Sequence, residues 1–219
     1  MNELNSLVAA AAPLVFAVVG ETITEKAGVI NLSLEGSLML SAMTGFAVSY
    51  ETNSLILGFL AAALVSALVA LLVAYSSIAL KLNQVAVGFV LFQLCTDLST
   101  FLGNSYVRIP GPSVGALPIP ILEDIPILGR ILFDQNLVVY ASFIAIFAAY
   151  YFIFRTRKGL DLQGIGERPE AAHARGVPVN RLRYAYAALG GSLVGIAGAS
   201  YSLAVKLGWS FQHTRNLGW

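Results

Sequence analysis

Charge is the scarcest commodity in this chain. Of its 219 residues only 11% are Asp, Glu, Lys or Arg, while 57% are hydrophobic; a soluble domain carries about 25% charged residues. There is too little polar surface to clothe a water-facing globule of this size, so the soluble classes are excluded. The single cysteine, Cys95, lies inside an apolar run and leaves no disulfide framework and no cysteine-based zinc site. The two histidines, His173 and His213, are far apart and lack ligand spacing. A net charge of +1 provides no global basic field for nucleic acid. No G-x-x-x-x-G-K-[ST] phosphate loop occurs, and Gly164-x-Gly166 has no strand–turn–helix context. No nucleophile–base pairing is visible, so no catalytic residue, cofactor or metal is expected of this chain. The first twenty residues have no basic leading region and do not read as a cleaved signal peptide.

What is present is hydrophobic length. Mean hydropathy is +0.76, and several apolar runs reach roughly 18 residues, about enough to cross a bilayer core as helix. The expected fold is all-α: a polytopic transmembrane bundle of about six helices. The runs are a first span near 4–23, bent by Pro13; a second at 28–50; the cleanest at 55–80; a fourth at 84–104; a fifth at 137–154; and a sixth at 184–206. Between the first two lies a charge cluster with Glu21, Glu25, Lys26 and Glu35. An ionised Glu at mid-membrane costs on the order of 3 kcal/mol, so Glu35 sits near the interface or faces protein. In the fourth span Gln93, Asp97, Thr100 and Asn104 recur at helical spacing and form one polar stripe, which lines a water-filled path or makes interhelical hydrogen bonds. In the sixth, Gly191 and Gly195 make a GxxxG that Gly198 extends, read as close helix packing. The proline-rich connection 105–136 lies outside the apolar core, with a short surface helix expected at 121–133. The tail after 206 reads as a connection about to enter another helix, so the sequence is expected to continue beyond Trp219.

The longest polar stretch, 155–183, holds Arg155, Arg157, Lys158, Arg168, Arg175, Arg181 and Arg183, more than half of the 13 basic residues. By the positive-inside bias it belongs in the cytoplasm, which places the proline-rich loop outside. Within it Pro169 suits the first position of a helix and Gly176 the position just past its end. Glu170 and Arg175 complement the two ends of its dipole. The expected element is a helix of about two turns with an alanine face, Ala171, Ala172 and Ala174, stopped by Pro178; a solvated loop is the alternative.

Two motifs carry a family resemblance. GIGERPEAAHARGVP, at 164–178, resembles the coupling segment of permease subunits of bacterial ABC importers, in the branched-chain amino acid, ribose and nucleoside permease family. Arg168 stands where that pattern often has Asn, and Val177 replaces Ile. GETITEKAGVINLSLEG, at 20–36, is similar to the family's N-terminal motif and is closest to the sugar and nucleoside branch that works with a Bmp-type lipoprotein. The resemblance implies one permease domain over 1–219 in a bacterial cytoplasmic membrane, with a cytoplasmic coupling loop at 155–183 and an external loop at 105–136. It implies cytoplasmic ATPase subunits, a second permease subunit and an external substrate-binding lipoprotein as partners. ATPase coupling falls on Gly166, Glu167, Pro169, Ala171, Ala172 and Gly176; the N-terminal motif on Glu21, Glu25, Gly28, Asn31, Glu35 and Gly36. The implied function is import of a nucleoside or simple sugar, with Gln93, Asp97, Thr100 and Asn104 as pathway lining. The rival is an ion-coupled transporter or channel that uses Asp97 and Glu35 as intramembrane carboxylates.

Overall fold

The structure, a computed structural model, describes residues 2–115, 117, 135–214 and 217–218. The regular elements among the described residues are helices: α1 (Asn2–Lys26), α2 (Leu34–Thr52), α3 (Leu55–Ile78), α4 (Gln84–Gly103), α5 (Leu137–Arg155), α6 (Arg157–Glu167), α7 (Pro169–Ala174) and α8 (Val179–Ser200). Five of these elements are long and apolar enough to cross a membrane; α2 is not among them. The helix expected at 121–133 lies outside the described residues.

Local chemistry sets the helix starts. The side chains of Ser54, Asn83, Asn136 and Thr156 accept hydrogen bonds from the first free backbone N–H groups of α3, α4, α5 and α6. Asn53 and Lys81, both with positive φ, turn the chain sharply into α3 and towards α4. Three sequence expectations need correction. α1 does not stop near residue 23 but runs to Lys26, so Glu21 and Glu25 sit on its last turns. α2 begins at Leu34, not Gly28, because Gly28 adopts φ +80° and breaks the helix. The last long helix begins at Val179, directly after Pro178, rather than at 184.

α8 is the axis of the bundle and packs against α1, α2 and α3. Its glycines explain how. A Cβ at Gly190 would lie 2.5 Å from the Gly20 carbonyl of α1; at Gly195, 2.3 Å from the Ala62 carbonyl of α3; at Gly198, 2.6 Å from the Leu38 carbonyl of α2. Gly191 and Gly195 both lie against α3, Gly191 on Ser66 and Ala70 and Gly195 on Ala62, as the GxxxG predicts; Gly198 does not extend that face but turns to α2, and Gly190 serves α1. α2 is buried over most of its length, including Ser37, Ser41 and Ser49. That explains why its polarity is tolerated: its surroundings are protein rather than lipid. α4 packs on α2 and α5 on α1, both at the periphery. The outward face of α5, with Ile144, Phe147, Tyr151 and Phe154 each more than half exposed, is one continuous apolar stripe.

Candidate functional site

One end of the bundle gathers the C-terminus of α1, the α1–α2 turn, α6, α7 and the start of α8. α6 is amphipathic. Its Gly159, Leu162 and Ile165 are buried, and Leu162 and Ile165 share a core with Ile23 of α1, Ala27 just after it, Ile153 of α5 and Tyr186 of α8. Gly166 lies directly on α1: a Cβ there would come within 2.1 Å of the Lys26 carbonyl. Gln163 Nε2 donates to the Ile153 carbonyl at 2.8 Å, and the Tyr186 hydroxyl donates to the Lys158 carbonyl at 3.2 Å. α6 is thus bolted to α1, α5 and α8.

α7 stands on this platform. Pro169 takes its first position and Glu170 its first turn, as the dipole favours. At its end Gly176, at φ +85°, donates to the His173 carbonyl at 2.9 Å, and Val177 N–H reaches the Ala172 carbonyl at 3.1 Å. That pair of bonds closes the helix with a left-handed glycine, as the sequence anticipated. The helix has six residues, about two turns as expected. One detail differs: Ala172 is not on the outward face but is buried against the α6 core, while Ala171, His173, Ala174, Arg175 and Glu167 are exposed. Arg155, Arg157, Lys158, Arg168, Arg175 and Arg181 also point outward. Grooves flank α7, one of about 530 Å³ bounded by Glu170, His173 and Arg181, the other of about 440 Å³ bounded by Asp161, Glu167 and Arg175.

The N-terminal motif residues meet in the α1–α2 turn. Glu21 Oε1 accepts from Asn31 N–H at 3.2 Å, and Asn31 Oδ1 accepts from both the N–H and the hydroxyl of Ser33. Gly28 leaves room for the Arg183 guanidinium, which would lie 2.5 Å from a Cβ; Arg183 Nε donates to the Ala27 carbonyl at 3.0 Å. Ile30 N–H donates to Gln84 Oε1 at 2.7 Å, which ties the turn to α4. Gly36 lets α2 touch the Phe92 backbone of α4. Glu25 is exposed, beside Lys26 and Glu167. Glu35 stands apart from the turn's network. It is 4% exposed and accepts hydrogen bonds from the Thr214 hydroxyl and, at 2.5 Å, from Gly218 N–H. Sequence reasoning did not find Arg183, Gln84 or Thr214; each acts across more than fifty residues, and no local pattern announces it.

The polar stripe of α4 is not brought into this site. Gln93 Nε2 donates to both oxygens of Asp97, at 3.1 and 3.0 Å, on an exposed face; Asn104 is exposed, and the Thr100 hydroxyl donates to the Thr96 carbonyl. These bonds stay within α4, and none joins the stripe to another helix. Among the described residues no cluster of three or more His, Cys, Asp or Glu is arranged to hold a metal.

A polytopic helix bundle with a polar centre and a capped, rigidly mounted protrusion at one end defines a multi-pass membrane protein. Residues 4–217 match the family described as the permease component of the branched-chain amino acid transport system, and the chain belongs to that family. A Haloferax volcanii protein provisionally named a glucose ABC transporter permease is 36% identical over 220 residues, 99% of this chain and 67% of that protein. The nucleoside ABC transporter permease of Lactococcus lactis is 30% identical, over 89% of this chain and 65% of its own length. The guanosine ABC transporter permease of Bacillus subtilis is 31% identical, over 93% of this chain and 67% of its own. The chain thus spans about two thirds of the length of these relatives. No solved structure matches it.

Proposed function

We propose that this chain is the membrane-pathway part of an ATP-driven importer for a nucleoside or a simple sugar, and that α7 is where a cytoplasmic ATPase pushes. The observation that carries the reading is the mounting of α7. Its inner residue Ala172 is sunk into a core shared by α1, α5, α6 and α8, while its outer residues are free. A displacement imposed on the outer face therefore moves four helices as a body. Gly166, Glu167, Pro169, Ala171 and Gly176 shape and present the protrusion; Ala172 anchors it.

The basic end belongs in the cytoplasm, since its outward Arg and Lys side chains follow the positive-inside bias. The partners are two ATPase subunits, a second permease subunit and an external binding lipoprotein. The α4 stripe supports the second-subunit assignment. Gln93, Asp97 and Asn104 are exposed on a membrane helix, and lipid is a poor environment for them. They line a pathway closed by the partner permease, where amide and carboxylate groups meet solute hydroxyls. The names of the relatives supply the solute class, glucose, nucleoside and guanosine, and family membership favours ATP over an ion gradient.

The test is reconstitution of the full-length permease with its ATPase, partner permease and binding protein in proteoliposomes. Uptake of labelled guanosine or glucose that requires ATP inside the compartment holding the basic end is the expected result. Uptake that survives ATP depletion and collapses with a proton uncoupler overturns the proposal in favour of the Asp97 and Glu35 alternative.

A further inference from the structure

The chain after α8 turns back into the bundle instead of leaving it. α8 runs into a widened π turn, Tyr201–Val205, and Gly208 at φ +100° reverses the direction. Trp209 is 2% exposed and sits at the level of Met43, against Gly103 of α4. His213 is 1% exposed, its ring 5.4 Å from Trp209 and 5.3 Å from Tyr201. Ser210 links it to Lys206, at 3.2 and 3.0 Å. Thr214 reaches the first turn of α2, where its hydroxyl donates to Glu35. Between Met43 and Glu35 α2 rises about 12 Å, so non-helical backbone penetrates the interior by roughly that distance. Such backbone is tolerated at membrane depth only where protein surrounds it. The cavity beside Thr214 and Leu38 is about 10 Å³, room for at most one water, so the segment fills this part of the bundle.

Three features set this arrangement apart from the rest of the bundle. Thr214, through its hydroxyl, and Gly218 beyond the segment, through its backbone N–H, both donate to a buried carboxylate of α2, a costly group in the interior of a membrane protein. The joint behind the segment is a π turn followed by glycine, unlike the glycine-locked helix before it. And the packed state leaves Trp209 Nε1 and His213 Nε2 buried with no partner among the described residues, a cost of about 1–3 kcal/mol each. Movement that wets the segment would recover that cost.

We propose that residues 206–214 are a re-entrant gate, latched to α2 through Glu35, which releases once in each transport cycle. The proposal rests on the importer reading. Glu35 is then a positioning residue rather than the coupling carboxylate of an ion-driven carrier.

The experiment uses the full-length permease with its partner subunits, in a Cys95→Ala background that removes the chain's single described cysteine. Glu35→Cys with Thr214→Cys is oxidised in proteoliposomes. A disulfide that forms, lowers uptake at least tenfold and releases it on reduction is the expected result. A disulfide that forms without effect on uptake, or no disulfide at all, overturns the gate. Because loss of the carboxylate can itself abolish uptake, Thr214→Cys alone is labelled with an impermeant maleimide. Labelling at least tenfold faster with ATP and solute present than at rest supports release, and equal rates refute it. If the Cys95→Ala parent takes up neither guanosine nor glucose with ATP, the importer reading fails and the gate falls with it.

Discussion

Gly166→Ala is the sharpest single perturbation of the proposed lever, and Gly164→Ala, two residues away on the same helix, is its control. At Gly166 an added Cβ meets the Lys26 carbonyl oxygen at 2.1 Å and its carbon at 2.9 Å, whereas at Gly164 nothing lies within 4 Å. Both atoms facing Gly166 are backbone, so no side chain can swing aside. Separations under 3.0 Å are essentially never seen, so α6 must lift from α1 by about 1 Å; overpacking of this kind costs about 1–3 kcal/mol. The outer face of α7 is untouched, because Gly166 lies on the inner side of the platform. The expected result is a complex that still assembles with its ATPase and still hydrolyses ATP, with solute moved per ATP reduced about tenfold, since roughly 1.4 kcal/mol corresponds to that factor. Gly164→Ala should couple normally and gain about 0.5–1 kcal/mol of helix stability from the better helix former. The assay is paired ATPase and uptake rates in proteoliposomes, with assembly checked by copurification. Normal coupling in Gly166→Ala, or equal losses in both variants, refutes a route through the α6–α1 contact.

Gly176→Ala meets no neighbour within 4 Å, so its cost is the left-handed backbone alone, about 1–2 kcal/mol; ATPase binding to the permease should weaken roughly tenfold in a titration, with the fold intact. Ala172→Trp should pry α7 from its seat and abolish coupled uptake; normal transport in that variant removes α7 from the mechanism. Gly195→Ala drives a methyl into the α3 backbone and should lower the melting temperature of the detergent-solubilised protein by an amount equivalent to about 1–3 kcal/mol, whereas Gly115→Ala, in open space, should leave it unchanged. Gln93→Ala and Asn104→Ala should alter discrimination between guanosine and glucose in competition uptake; unchanged selectivity shows that the stripe serves only subunit packing.

The apolar runs were legible where lipid was the counterpart. α3, α4 and α5 begin and end within about two residues of the apolar runs, because there hydropathy alone marks the lipid-facing length, and the Ser54, Asn83 and Asn136 caps fall at the same starts. Reading failed where protein replaces lipid. Glu21 and Glu25 looked like a connection, yet they extend α1, because the α1–α2 turn and Arg183 supply polar surroundings that no window of sequence contains. Ala172 looked like part of a presented face, because composition does not say which side of a six-residue helix is down; the Leu162 and Ile165 core decides it. The stretch 155–183 reads as one polar loop, but it holds α6, whose mixture of Arg, Lys, Asp and Leu gives no helical signal and whose burial against α1 reveals it. The re-entrant course of 206–214 had no signal at all, since its anchor, Glu35, lies 179 residues away.

The way α4 is held connects the proposed lever to the proposed pathway. Near its start α4 touches the α1–α2 connection through Gly88 and Leu32, and one helical stretch later it touches α2 through Phe92 and Gly36. Both contacts involve the N-terminal half of the helix. At the other half the close backbone approach is Gly103 against the Trp209 ring, a residue of the re-entrant segment. The stripe runs through both halves, but Asp97, Thr100 and Asn104 lie beyond the Gly36 contact, in the part that the segment steadies. α8 cannot slide independently, because its glycines interlock with three helices at separations that admit no methyl group. In the proposed cycle, a push at α7 therefore moves α8 with α1, α2 and α3 and carries the base of the re-entrant segment with them. If the Glu35 latch then opens, the end of α4 beyond Asp97 loses its Trp209 contact at Gly103 and keeps only Met43 of α2 there, while its other half stays tied to α2 through Gly36. On that proposal the event that wets the segment also loosens the α4 stripe, so one cytoplasmic displacement reaches both the gate and the proposed pathway lining.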